Sequence, residues 1–210
     1  MVSTAVDLAT WPRAAQFRLF RTYAKPHYAV TARVDVTQVM ARKATGLPPY
    51  RTCLYAIGAG LHAVPELCMR FRGDAVVQHQ MVTLSMTVPT RTGSFGYAYV
   101  PYIADFGGFD QEAKRLIDQV ANGVALQPNT GERDDLAYLS CMPWLDYTSI
   151  NNALPGPDDC IPRVSWGKFV DHGGRWDMAM TLEVHHALVD GQQVGTYFAA
   201  VQTALDNLTA

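Results

Sequence analysis

Basic residues are in short supply: seventeen lysines and arginines face nineteen aspartates and glutamates, for a net charge of -2 at pH 7. No positive excess is left to hold a nucleic-acid backbone or an anionic membrane surface, so polyanion binding is excluded as a first reading. Long hydrophobic runs are missing as well. No stretch nears the roughly 18 uninterrupted apolar residues of a membrane span. The opening MVSTAVDLATWPRAAQF lacks the basic, apolar and small-residue regions of a secretory signal. A soluble, cytoplasmic protein is expected. Cys53, Cys68, Cys141 and Cys160 show neither C-x-x-C pairing nor the density of a disulfide scaffold, and are expected to be reduced thiols that fill the core. Repeats and low-complexity tracts are absent, and glycine and proline are scattered rather than gathered into a linker.

What is present is apolar material for one sizeable core. With 49% hydrophobic and 17% charged residues, a single domain over residues 1–210 is expected. Thr10 as N-cap and Pro12 in the first turn predict a helix over about 11–22. Tyr28, Val30, Ala32, Val34 and Val36 alternate with polar residues, which predicts a half-buried strand. Leu54, Ile57, Leu61 and Val64 recur at helical spacing until Pro65. The stretch 76–103 is rich in Val, Thr and aromatics and predicts two or three strands. Asp110 is expected to cap a helix with the stripe Ala113, Leu116, Ile117 and Val120. Further strands are expected at about 136–141, 162–170 and 177–186, and Val194, Tyr197, Phe198, Val201 and Leu205 mark a final amphipathic helix. Strands and helices are interspersed without regular alternation, so the expected class is α+β with a large mixed sheet.

Chemistry concentrates in MAMTLEVHHALVDGQQVG. Met178, Met180, Leu182, Val184 and His186 share one strand parity, while Thr181, Glu183 and His185 share the other. His186 is therefore expected on the buried face and His185 at a surface or interface. A buried histidine needs partners that fix its tautomer. Asp190-Gly191 reads as a turn. On this pattern alone, a buried histidine ahead of an ordinary Asp-Gly turn is as good a reading as a catalytic one. Strand geometry aims the two histidines at opposite faces, and no third ligand lies at a familiar spacing, so no metal is expected.

The run His185-His186-Ala187-Leu188-Val189-Asp190-Gly191 resembles the HHxxxDG motif of the chloramphenicol acetyltransferases and of the related dihydrolipoamide acyltransferase domains. The rest of the chain is similar to the first of these. Ser140 to Ser149, SCMPWLDYTS, resembles their S-x-x-P-W-x-x-F-x-S segment, and Trp11-Pro12-Arg13 through Phe17 resembles their N-terminal W-x-R-x-x-x-F helix. Ser94-Phe95-Gly96 and Trp166-Gly167-Lys168-Phe169 match further family segments in the same order. The resemblance covers essentially the full length. It implies a two-layer fold with helices on a mixed sheet, a homotrimer with active sites between subunits, and acetyl-CoA as co-substrate.

Carried over residue by residue, the resemblance makes His186 the general base that deprotonates a substrate hydroxyl, a task suited to a group titrating near neutrality. The freed oxygen attacks the thioester directly, through a tetrahedral intermediate. Ser149 corresponds to the serine that hydrogen-bonds the oxyanion, and is not a nucleophile. Asp190 corresponds to the aspartate that pairs with the first-helix arginine, here Arg13, and holds the loop. No G-x-S-x-G elbow supports a hydrolase triad. Leu19, Phe20, Tyr28, Phe95 and Ser165 fall at acceptor-pocket positions, and Trp144, Lys168 and Phe169 in segments that line the coenzyme channel.

The resemblance implies O-acetylation of chloramphenicol and antibiotic inactivation. Two departures bear on the acceptor: Gln192-Gln193 replaces a common aromatic and histidine, and the first-helix pair Leu19-Phe20 has no phenolic hydroxyl. The same mechanism on another small alcohol is the first rival. A non-catalytic small-molecule-binding trimer is the second, opposed by intact His186, Ser149, Asp190 and Arg13. A lipoyl-linked acyltransferase is the third, weakened because no lipoyl or subunit-binding region accompanies the domain.

Overall fold

The computed structural model describes residues 2–91, 93–123 and 128–208. Thr92, in the predicted strand region, and residues 1, 209 and 210 of the expected domain lie outside them. In chain order the strands are β1 (Ser3–Val6), β2 (His27–Asp35), β3 (Met69–Arg72), β4 (Ala75–His79), β5 (Thr83–Pro89), β6 (Phe95–Pro101), β7 (Leu136–Cys141), β8 (Arg163–Trp166), β9 (Val170–Asp171) and β10 (Trp176–His185). The helices are α1 (Ala14–Phe20), α2 (Thr37–Lys43), α3 (Pro49–His62), α4 (Phe106–Ala121) and α5 (Gly191–Asp206), with a 3-10 turn at Pro65–Cys68.

The class is α+β. Its main sheet runs in the order β2-β10-β8-β7-β5-β6, with β9 beside β10. Strand β7 is parallel to both β5 and β8, and the other pairings are antiparallel, so the sheet is mixed. A smaller antiparallel sheet joins β1, β4 and β3. Two-residue periodicity sets the register at the centre: Met178, Met180, Leu182 and Val184 lie opposite Val34, Ala32, Val30 and Tyr28. That face packs on α3 and α5, where the Tyr197 hydroxyl reaches the Met180 sulfur at 3.6 Å. The two helices approach closely at Gly60, where a Cβ would lie 2.5 Å from Val201 Cγ2 and 3.0 Å from the Tyr197 ring. An alanine there would overpack the interface.

The other face of β10 is buried too. Residues 142–162 cross it, so Thr181, Glu183 and His185 are enclosed although their parity is polar. The expectation of His185 at the surface is therefore corrected: it is 2% exposed, and His186 is the more accessible of the pair. The strand ends at His185, one residue early, and His186 opens the following turn.

Two caps also differ. Helix α4 begins at Phe106, with Asp105 Oδ2 accepting from Gly108 N at 2.7 Å; Asp110 sits inside the helix and binds Arg51 Nε at 2.6 Å. Helix α1 begins at Ala14 with no side-chain cap, because the Thr10 hydroxyl turns back to Asp7. The sequence reading also missed β1, β3 and α2. All four cysteines are free, Cys53 and Cys68 buried and the other two half-buried.

Candidate active site

Arg13 and the turn after β10 form one unit. The guanidinium, on a residue only 7% exposed, pairs with the Asp190 carboxylate and donates to the carbonyls of Leu188 at 3.0 Å and His186 at 3.3 Å. Its planar fork suits several acceptors at once. Asp190 in turn caps α5: Oδ1 accepts from Gln192 N at 3.0 Å, and Gln193 Oε1 accepts from Asp190 N at 3.1 Å, closing a capping box. Burial acts to raise the Asp190 carboxyl, but the Arg13 bond and the helix N–H groups outweigh it and hold it below the ordinary carboxylate range.

That turn presents His186. Its N–H donates to Pro26 O at 2.9 Å, and its ring is sandwiched by aromatics from α1 and β2. Phe20 stacks on it at 3.9 Å between centroids, and Tyr28 lies at 4.7 Å. Burial, assisted by the nearby Asp190 charge, pushes the Tyr28 phenol up to about 12, so the hydroxyl stays protonated and donates to Val189 O at 3.4 Å. His186 Nδ1 is buried without a hydrogen-bond partner among the described residues. His185 is the satisfied member of the pair: Nε2 donates to Pro157 O at 2.9 Å and Nδ1 accepts from Ala187 N at 3.1 Å. Burial foremost, with His27 alongside, pushes it down to about 4.

The other predicted residues scatter around this centre. Leu19 and Phe95 are 53% and 58% exposed, Phe95 on the edge strand β6. Ser165 is buried in β8 opposite Thr181, with Oγ unpartnered among the described residues. Ser149 is exposed on the crossing segment, and no hydrogen bond or ring contact among the described residues joins it to His186.

Trp144, Lys168 and Phe169 do come together. They line a cavity of about 620 Å³ with Tyr50, Trp166 and Lys43. Trp166 belongs to the same family-like segment as Lys168 and Phe169, whereas nothing in the sequence points to Tyr50 and Lys43, which come from α3 and α2 and meet the segment only through the fold; no local spacing announces them. Trp166 pairs with Met180 on β10, six residues before His186. At about 3.3 Å per residue the cavity therefore lies some 20 Å along the strand from the histidine of the same chain.

Known proteins are similar to this chain in sequence and fold. The family model described as chloramphenicol acetyltransferase matches residues 1–202. Chloramphenicol acetyltransferase 2 of Haemophilus influenzae is 25% identical over 208 residues, covering 98% of each chain. A solved chloramphenicol acetyltransferase superposes with a TM-score of 0.87 at 25% identity, over 97% of this chain and 100% of that one. The dihydrolipoamide acetyltransferase of Azotobacter vinelandii, at 15% identity and a TM-score of 0.65 over 92% of this chain and 86% of that one, shares the fold. With the match running through both the Arg13 helix and the His186 turn, the chain belongs to the chloramphenicol acetyltransferase family.

Proposed function

We propose that this chain, folded as one domain over residues 1–210, is an acetyl-CoA-dependent O-acetyltransferase that inactivates chloramphenicol by acetylating a hydroxyl. The observation that carries the reading is the His186 turn, pinned by Arg13 and Asp190 and flanked by Phe20 and Tyr28. His186 takes the proton of the acceptor hydroxyl, and the oxygen attacks the thioester carbon. The Ser149 hydroxyl donates to the oxyanion that develops, and the proton on His186 passes to the departing thiolate. Arg13 and Asp190 keep the turn in place throughout.

The cavity fits acetyl-CoA by its chemistry. Trp144, Phe169, Tyr50 and Trp166 offer apolar walls to the pantetheine arm, while Lys43 and Lys168 offer two cations to its phosphates. Leu19, Phe20, Tyr28, Phe95 and Ser165 serve the acceptor. Gln193 is occupied in the α5 cap and reaches Glu66 at 3.4 Å, so of the two glutamines only Gln192 is left to alter acceptor choice.

The active form is a homotrimer whose sites lie between subunits. Its support is the separation of about 20 Å between cavity and histidine along β10, which a neighbouring chain bridges. Exposed Leu19, Phe95, Trp144 and Leu145 add apolar surface for such contacts. The protein is cytoplasmic in this reading, in keeping with its free thiols.

Thiol release from acetyl-CoA, with and without chloramphenicol, tests the proposal when run beside His186→Ala. Chloramphenicol-dependent release that the variant loses supports it. A folded wild type with no release above the variant sinks the chloramphenicol assignment, and turnover of another alcohol would select the same mechanism on that acceptor. Sedimentation equilibrium at assay concentration tests the trimer, which a monomer mass would exclude.

A further inference from the structure

The crossing segment that carries Ser149 has no regular secondary structure, yet it is held at intervals by one face of β10. Thr181 Oγ1 donates to the Tyr147 hydroxyl at 3.3 Å, and that hydroxyl donates to Ser165 O at 2.7 Å. Two residues along the strand, Glu183 Oε2 accepts from both Asn152 N and Asn152 Nδ2, each at 2.8 Å. Two further on, His185 Nε2 donates to Pro157 O at 2.9 Å. Strand residues of one parity step by about 6.6 Å, and at each step the segment advances five residues, from 147 to 152 to 157.

Ser149 falls two residues after the first anchor and three before the second. Glu183 is the informative member. It is 5% exposed, and a carboxylate buried to that degree is costly unless it is well hydrogen-bonded. Glutamate is also disfavoured in strands, so its place near the end of β10 is not explained by strand propensity. What it gains is a grip on the backbone and side chain of one residue with a single charged oxygen, the stronger class of hydrogen bond. An oxyanion donor works only if it is already in place when charge develops, and its loop has no ladder of its own to hold it.

We infer that Glu183 is a positioning residue that sets the Ser149 hydroxyl through its paired bonds to Asn152. The inference rests on the reading of Ser149 as the oxyanion donor. Because the grip is made within one chain, it orients Ser149 whichever subunit supplies the histidine.

A double-mutant cycle on kcat for chloramphenicol acetylation tests it, using the full-length protein with Glu183→Gln, Ser149→Ala and the pair. Ser149→Ala is expected to lower kcat by about a hundredfold. Glu183→Gln is expected to lower it about tenfold in the wild-type background and by less than about twofold once Ser149 is gone, with KM for acetyl-CoA little changed in both. Equal losses in the two backgrounds would mean a merely structural role and overturn the inference while leaving the Ser149 reading intact. No loss in Glu183→Gln overturns it as well. Wild-type kcat in Ser149→Ala defeats the oxyanion reading and the inference with it. Should Glu183→Gln fail to fold, Asn152→Ala, which removes the half-exposed side of the contact, runs through the same cycle and is judged by the same criterion of non-additivity.

Discussion

Phe20 lies face to face with His186, with ring planes 6° from parallel. Stacking of this kind fixes the plane of the imidazole, while Tyr28, tilted 47°, closes another side. Removing the stack frees the ring to turn away from the orientation that the proposed proton transfer requires. Phe20→Ala is expected to lower kcat about tenfold, because small losses of alignment carry large rate penalties. Phe20→Tyr, which keeps the flat partner, is expected to stay within about threefold of wild type. Steady-state kinetics on both variants decide it, and equal kcat in all three proteins would show that the stack does not matter.

The neighbouring histidine predicts a pH dependence of stability. His185 is pushed down to about 4 in the fold, from an ordinary value near 6.5. The unfolded chain therefore binds the extra proton first, and stability is full above about pH 6.5, falls as pH drops, and levels near 4. The shift corresponds to about 3 kcal/mol over that window. His185→Asn is expected to be less stable at pH 7 but to lose less between pH 6.5 and 4.5. Urea unfolding at four pH values measures this; parallel slopes for the two proteins would refute it.

Arg13 and Asp190 give a second, lower window. The Asp190 carboxyl is held below the ordinary range, so its contribution is complete above about pH 4 and is lost as pH falls through its folded value. The side chain is 37% exposed, which keeps the effect modest through solvent screening. Asp190→Asn removes that low-pH loss and the counter-charge to Arg13 together. Below pH 4 the variant and wild type should converge in stability, while at pH 7 the variant is the weaker by about 1–3 kcal/mol. A gap that persists unchanged at pH 3 would mean that the ion pair is not its source.

Legibility in the sequence followed the range of the interactions involved. The alternation in β2 and β10 is local, so both strands and their apolar face were readable from Tyr28 to Val34 and from Met178 to Val184. The assignment of the two histidines failed for a non-local reason: residues 142–162 cover the second face of β10 and bury His185. The spacing of Asp110 suits a cap, but Asp105 lies where the chain turns, and Asp110 answers Arg51 from another helix. The Arg13–Asp190 pair joins residues 177 positions apart. Resemblance suggested it; periodicity had no means to. Resemblance also suggested Trp144, Lys168 and Phe169 of the cavity wall, but Tyr50 and Lys43 lay beyond both, since they reach the cavity from α3 and α2 only through the fold.

The cavity has a weak point at Gly167, where main chain and ring leave no room for a side chain. A Cβ there would lie 2.5 Å from Leu145 O and 3.1 Å from the Tyr147 ring. Leu145 O already accepts from Lys168 N at 2.8 Å, so the bond that ties the Trp144 turn to the Lys168 segment is the one an added methyl would break. Main chain cannot swing aside as a flexible side chain does, and Tyr147 is the first anchor of the Ser149 segment. Gly167→Ala should therefore destabilise the fold by about 1–3 kcal/mol and raise KM for acetyl-CoA more than KM for chloramphenicol. Trp144→Ala provides the contrast. That side chain is 79% exposed in the single chain, so its truncation should weaken acetyl-CoA binding with little change in the denaturation midpoint of the isolated chain. Thermal melts and paired KM measurements separate the two effects. If Gly167→Ala melted like wild type and bound acetyl-CoA as tightly, the close packing of this wall would have no part in holding the coenzyme.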